Sequence, residues 1–264
     1  MELPHLWPPA SRPDLSAALS EWFDAEPGGE LLAAERRLLG HVLPDLFGYH
    51  ALQLGQPAPA NMLEASRIRH RLVADEQPQP VEGLSRFHAR PDSLPLPADS
   101  IDVVLLHHLL DVCTNPHAVL REACRVLLPE GHLVIVGFNP WSLWGLWRLF
   151  RLPWSSTPWL RRALSPQRMS DWLSLLDFEV VGVESAYFLP PVKAAMVRKR
   201  LGWMEALGSR YWSQGGAAYV VLARKRVACL TPLRLRQPLL QMLRPALVAE
   251  TRSNGHDSLK KQDD

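Results

Sequence analysis

Three features of this 264-residue chain predict an α/β fold built on a mostly parallel sheet. Two continuous apolar runs, Ile101 to Leu106 (IDVVLL) and His132 to Gly137 (HLVIVG), read as strands covered on both faces, the habit of parallel sheets. Between them lies a well-punctuated helix: Asn115 can cap it, Pro116 fits its first turn, and Pro129 with Gly131 follows its end. Strand, helix and strand in this order imply a right-handed parallel crossover, and the same alternation continues on both sides.

Taken in order, the elements begin after a Pro-rich start. Residues 14–25 and 30–46 read as helices, the second with Leu31, Leu32, Leu38, Leu39 and Val42 at helical spacing. Tyr49 to Leu54 reads as a first strand, Asn61 to Arg71 as a helix, Leu72 to Asp75 as a second strand and Leu84 to His88 as a third. After the two buried-type strands and the helix between them, Gln167 to Leu176 reads as a helix. Phe178 to Ser185 and Ala217 to Arg224 read as the last strands, and the chain beyond about residue 228 as a disordered tail. No internal repeat is visible.

Composition limits the function classes. With 47% hydrophobic and 21% charged residues the chain can bury one large core, so one domain with appendages is expected. A formal net charge of +2 is too small to argue for nucleic acid. The three cysteines, Cys113, Cys124 and Cys229, show neither CxxC nor ligand-like spacing, so neither a disulfide framework nor a metal site is expected. A reducing cytosol is the compartment they suit. The N-terminus lacks the layout of a signal peptide, and no stretch approaches a membrane-spanning length.

In an open parallel sheet, ligands bind outside the carboxyl ends of the strands. The exit of the first strand, Gly55 to Pro59 in ALQLGQPAP, is therefore the first place to look for chemistry. Asp75 ends the second strand twenty residues further on, where an acid can accept hydrogen bonds from a ribose diol. An Asp after a short strand also serves as a turn or helix cap.

Residues 91–140, PDSLPLPADSIDVVLLHHLLDVCTNPHAVLREACRVLLPEGHLVIVGFNP, resemble the class I S-adenosylmethionine-dependent methyltransferases, especially the broad type 11 group. Leu94 and Pro95, Ser100, Asp102, Val103 and Val104, Arg125 to Leu127, Pro129, Gly131 and Leu133 to Ile135 fall in register with its motifs. LSPQRMSDWLSLLDFEVVGVES and AAYVVLARK are similar to its last helix and closing hairpin, and GFNPWSLWG resembles a signature of a bacterial subgroup. The resemblance covers roughly residues 48–226 and implies a Rossmann-like sheet with helices on both faces and an antiparallel last strand. It leaves a helical extension over 1–47 and the tail over 227–264 outside it.

The resemblance also implies S-adenosylmethionine as cofactor, with Gln53, Gly55, Asp75, Asp92 and Leu106 around it. Against the family's first motif, approximately V-L-D-L-G-C-G-T-G, Gln53 replaces the acid, Gly55 keeps the first glycine, and Pro57 and Pro59 replace the other two. Proline fixes φ and removes a donor where glycine permits close backbone approach. Pro59 can instead open the following helix, whose N-terminus favours a carboxylate. Where relatives place an acid near the adenine, this chain has Arg90, with Asp92 two residues on. His107, His108 and Asp111 follow the fourth strand at the rim where cofactor and substrate meet in such folds. Either histidine can act as a base or orient an acceptor, the plainer alternative being a solvent-facing helix start. Cys113 reads as ordinary packing.

Residues 139–162, NPWSLWGLWRLFRLPWSSTPWLRR, place Trp141, Trp144 and Trp147 at three-residue spacing with arginines at the edges. Such a segment suits peripheral membrane contact, a lid over an apolar substrate, or a plain core helix. Two function classes follow: methyl transfer to a small, apolar acceptor molecule, or a catalytically inactive methyltransferase-like protein that binds or regulates. A nicotinamide dehydrogenase fits less well, because GQPAPA lacks the glycines that pyrophosphate approach needs.

Overall fold

The computed structural model describes residues 12–56, 60–150, 162–190 and 215–226. The chain divides into two units, Met1–Ala228 and Cys229–Asp264. The second unit, and with it the expected disordered tail, lies outside the described residues.

Helices α1 (Arg12–Asp24) and α2 (Gly28–Val42), followed by a single 3-10 turn at Leu43–Asp45, precede the sheet. Its strands are β1 (His50–Leu54), β2 (His70–Asp75), β3 (Ser85–His88), β4 (Ile101–His107), β5 (Leu127–Phe138), β6 (Phe178–Ala186) and β7 (Ala218–Lys225). A one-turn helix α3 (Leu109–Val112) and helix α4 (Pro116–Val126) link β4 to β5; α5 (Leu143–Phe150) and α6 (Pro166–Ser174) lie between β5 and β6. The strand order is β3-β2-β1-β4-β5-β7-β6, parallel through the first five strands, with β7 antiparallel to both β5 and β6. This is the Rossmann-like sheet with an antiparallel last strand that the sequence predicts.

Period-two alternation in the buried strands explains why both faces need cover. Val103 and Leu105 of β4 enter one core with Leu15, Leu19 and Phe23 of α1 and Leu31 and Leu39 of α2. Val104 and Leu106 enter the other, with Val119, Leu120 and Ala123 of α4 and Met169 and Leu173 of α6. The Asn115 cap on α4 forms as expected: its Oδ1 accepts from the Ala118 N–H at 3.1 Å.

Residues of the family-like motifs turn out to be fasteners. Asp102 Oδ2 accepts from the N–H groups of Tyr49 and His50, each at 2.9 Å, and so ties the start of β1 to β4. Arg125 donates to the carbonyls of Leu94 and Leu96 while pairing with Glu122, which itself accepts from the Leu94 N–H.

One expected element is absent. Residues 60–69, where the sequence predicts a helix over 61–71, form turns leading directly into β2. Side chains there satisfy the backbone in competition with a helix. Asn61 Oδ1 accepts from the Leu63 N–H, Ser66 Oγ accepts from the Ile68 N–H, and the Arg71 guanidinium donates to the carbonyls of Leu63 and Glu64.

Candidate functional site

The carboxyl ends of β1, β2 and β4 converge. Gly55 leaves β1 with φ +81°, and a Cβ there would lie 3.0 Å from Leu109 Cβ and 3.1 Å from the His107 carbonyl oxygen. The exits of β1 and β4 therefore approach so closely that only glycine fits at this left-handed position. Asp75 ends β2 on the other side: its Oδ2 accepts from the Gln56 N–H at 3.0 Å and its Oδ1 from the Gln77 N–H at 3.3 Å. The structure thus brings Asp75 beside Gly55 and Gln56.

The remaining expected cofactor residues are placed differently. Gln53 lies on the α1/α2 face of β1 with its amide fully engaged in the loop. Oε1 accepts from the Met62 N–H at 3.1 Å, and Nε2 donates to the carbonyls of Gly55 and Ala60 at 3.4 Å. Leu106 is buried on the opposite face among the α4 and α6 side chains. Asp92 is held in an exposed bidentate pair by Arg90, whose Nη2 donates at 2.8 Å. Pro57 and Pro59 lie outside the described residues, and no helix begins behind them within 60–69, so the expected helix N-terminus is missing from this loop.

Behind Gly55, β4 ends in a buried polar cluster. Strand alternation puts His107 on the same face as Val103 and Leu105, toward α2. His108 then turns into the left-handed region at φ 49°, which brings its ring to the same side. The two ring centroids are 4.9 Å apart. Both meet Glu35, which occupies a core position of α2 one turn from Leu31 and one from Leu39. His107 Nε2 lies 3.0 Å from Glu35 Oε2 and His108 Nε2 2.9 Å from Oε1, with all three side chains at 0% exposure. On its other edge His108 Nδ1 donates to Asp111 Oδ2 at 3.0 Å, and that oxygen also accepts from the Phe138 N–H at 3.1 Å. His107 Nδ1 has no partner among the described residues. The expectation of a solvent-facing helix start is not met: Phe23 and Phe138 pack on the rings.

Charges in this dry setting respond to burial and to one another. Burial alone would raise Glu35, but the charge of His108 and hydrogen bonds from both imidazoles hold it down at about 2. Burial would lower His108, yet Glu35 and Asp111 on either side push it up to about 9. Burial lowers His107, which hydrogen-bonds Glu35 as a neutral ring. Burial also raises Asp111. The proton between Asp111 and His108 nevertheless rests on nitrogen, because Asp111 Oδ2 is already an acceptor for the Phe138 N–H. Glu35 escaped the sequence reading; its one visible signal is a carboxylate inside the apolar stripe of an amphipathic helix.

The tryptophan segment divides. Trp141 is 72% exposed, whereas Trp144 is buried at 4%, donates from Nε1 to the Leu189 carbonyl at 2.8 Å, and packs edge-on against Trp22 and Tyr187. Of the alternatives for this segment, Trp144 takes the core-helix role, while Trp141 faces solvent. The Trp147 side chain lies outside the described residues, as do residues 151–161. Cys113 is buried with its thiol toward the Leu110 carbonyl, as packing predicts. Among the described residues no helix is long and apolar enough to cross a membrane.

A methyltransferase domain model matches residues 58–135. The uncharacterized protein YafS of Escherichia coli (strain K12) is 37% identical over 182 residues, which span 69% of this chain and 74% of that protein. The chain belongs to one family with YafS and carries a methyltransferase domain over residues 58–135. Solved structures share the family fold. An S-adenosylmethionine-dependent methyltransferase of Thermotoga maritima superposes with a TM-score of 0.55 at 17% identity, covering 80% of this chain and 100% of the other. A chain from the Haloferax volcanii complex of the Trm112 methyltransferase activator with a methyltransferase gives 0.55 at 16% identity, covering 81% and 98%. The matched family span starts just downstream of Gly55 and Gln56.

Proposed function

We propose that this methyltransferase-family chain transfers the methyl group of S-adenosylmethionine to a small, apolar acceptor. The observation that carries the reading is the convergence of Asp75 with Gly55 and Gln56 at the carboxyl ends of β1 and β2, where a parallel sheet binds its ligand. These residues fit the cofactor. The Asp75 carboxylate, which accepts from the Gln56 and Gln77 N–H groups at the end of β2, is the type of group that suits a ribose diol. The positive φ and missing side chain at Gly55 let the exits of β1 and β4 approach closely beside the His107 carbonyl. When bound, S-adenosylmethionine supplies a methyl group already activated on a sulfonium, so positioning and exclusion of water are what remain for the protein.

His107 and His108 enter this reading as positioning residues that hold the β4 exit. At neutral pH His108 keeps its proton between two carboxylates and is no general base. Leu106 supports the crevice from the core, and Asp92, tied to Arg90, belongs to the adjacent β3 loop. Peripheral membrane contact is not needed, since Trp144 is committed to the core.

A second reading, a catalytically inactive scaffold that binds or regulates, is favoured by the first-motif loop. Gln53 replaces the acid and is engaged by backbone groups, and among the described residues no helix begins within 60–69 behind the loop. Calorimetric titration of wild type and Asp75→Ala with S-adenosylmethionine tests the assignment. Loss of charged hydrogen bonds worth about 1.5–3 kcal/mol predicts a Kd raised roughly 10- to 150-fold. Equal affinities would remove Asp75 from the site.

A further inference from the structure

Glu35, His107 and His108 present one carboxylate and two imidazole nitrogens whose ligand atoms all lie within 4.8 Å of one another, on side chains fully removed from solvent. Two imidazoles and a carboxylate form the donor set of three-ligand zinc sites and of related divalent transition-metal sites that keep a position open. We propose that this cluster is a binding site for a divalent ion of the zinc class.

One further observation points the same way. His108 donates its other ring N–H to Asp111 at 3.0 Å, the outer carboxylate that commonly fixes the tautomer and orientation of a ligating histidine. Phe23 and Phe138 pack on the histidine rings, so an ion held there would be screened from water.

Sequence and backbone both serve the convergence. The helical stripe of α2 delivers a glutamate between two leucines, strand parity delivers His107, and the left-handed turn at His108 delivers the second ring. Because the His107 carbonyl borders Gly55, the ion would sit beside the crevice between β1 and β4. The proposal does not depend on methyl transfer.

The test uses the full chain, unfolded with chelator and refolded with excess zinc or cobalt, then desalted, because a buried site exchanges slowly. The expected result is about one metal retained per chain by elemental analysis, visible ligand-field absorption for the cobalt form, and a raised Tm. Glu35→Gln and His107→Gln, each checked for folding by circular dichroism, should both lose stoichiometric retention. Wild type that refolds without retaining metal or changing its Tm overturns the proposal. So does retention that persists undiminished in folded forms of both variants. S-adenosylmethionine titration of the same preparations reads the proposed activity separately, so either idea can fail alone.

Discussion

Glu35 stands where an amphipathic helix ordinarily places leucine, and its burial is sustained by two imidazoles rather than by water. Removing one partner of such a group leaves another buried charge exposed to its full desolvation cost. Glu35→Ala should therefore lose about 3–5 kcal/mol, lowering Tm by roughly 6–20 °C for a domain of this size. Scanning calorimetry checks this, and an unchanged Tm would mean the cluster contributes nothing to folding. The pH dependence of the metal-free protein has a definite sign. Glu35, ordinarily 4.5 and held at about 2, contributes stability that is present above its ordinary value and lost as pH falls toward 2. His108, ordinarily 6.5 and raised to about 9, contributes stability that is full below 6.5 and lost as pH rises through 9. Urea midpoints should thus be highest between about pH 5 and 6.5, with the alkaline decline smaller and complete at lower pH in Glu35→Gln. Sequence alone singled out His107, His108 and Asp75 by their place after strands. It could not supply Glu35, because pairing across 72 residues depends on how α2 lies over the sheet.

Among the elements, α4 and α5 show opposite uses of small local signals. Asn115 caps α4 through one side-chain hydrogen bond, so Asn115→Ala should cost about 1 kcal/mol and 2–4 °C in Tm. Gly145 lies inside α5, where alanine would ordinarily stabilise by up to about 1 kcal/mol. A Cβ there would collide with the Pro140 carbonyl, so Gly145→Ala should instead destabilise by about 1–3 kcal/mol, and a rise in Tm would contradict the close approach. Strand and cap positions were legible because alternation and punctuation are local properties. The helix expected over 61–71 was misread because its residues have acceptable helical composition. What displaced it were contacts between Asn61, Ser66 or Arg71 and nearby backbone, together with the reach of Gln53 from β1 to Met62. The sequence left the tryptophan segment open between membrane contact, a lid and a core helix for a related reason: three-residue spacing shows which rings can share a helical face, but not that Trp22 and Tyr187 will cover Trp144.

For the whole molecule, the strand order β3-β2-β1-β4-β5-β7-β6 gathers residues distant in sequence at one end of the sheet. Two buried apolar strands with a capped helix between them made the parallel core legible, and the motif resemblance supplied the reversed last strand. Competence of the first-motif loop was not legible, because it depends on whether backbone at Gly55 and Gln56 can replace the donors that a glycine-rich turn and its helix would offer. The central claim is that this scaffold still holds its cofactor. The most direct measurement is calorimetric titration of ligand-free, folded wild-type chain with S-adenosylmethionine, with S-adenosylhomocysteine as a second ligand. Saturable binding at a single site, weakened by Asp75→Ala, is the predicted result; no heat of binding for either ligand, from protein shown to be folded, would contradict it and leave the scaffold without its cofactor.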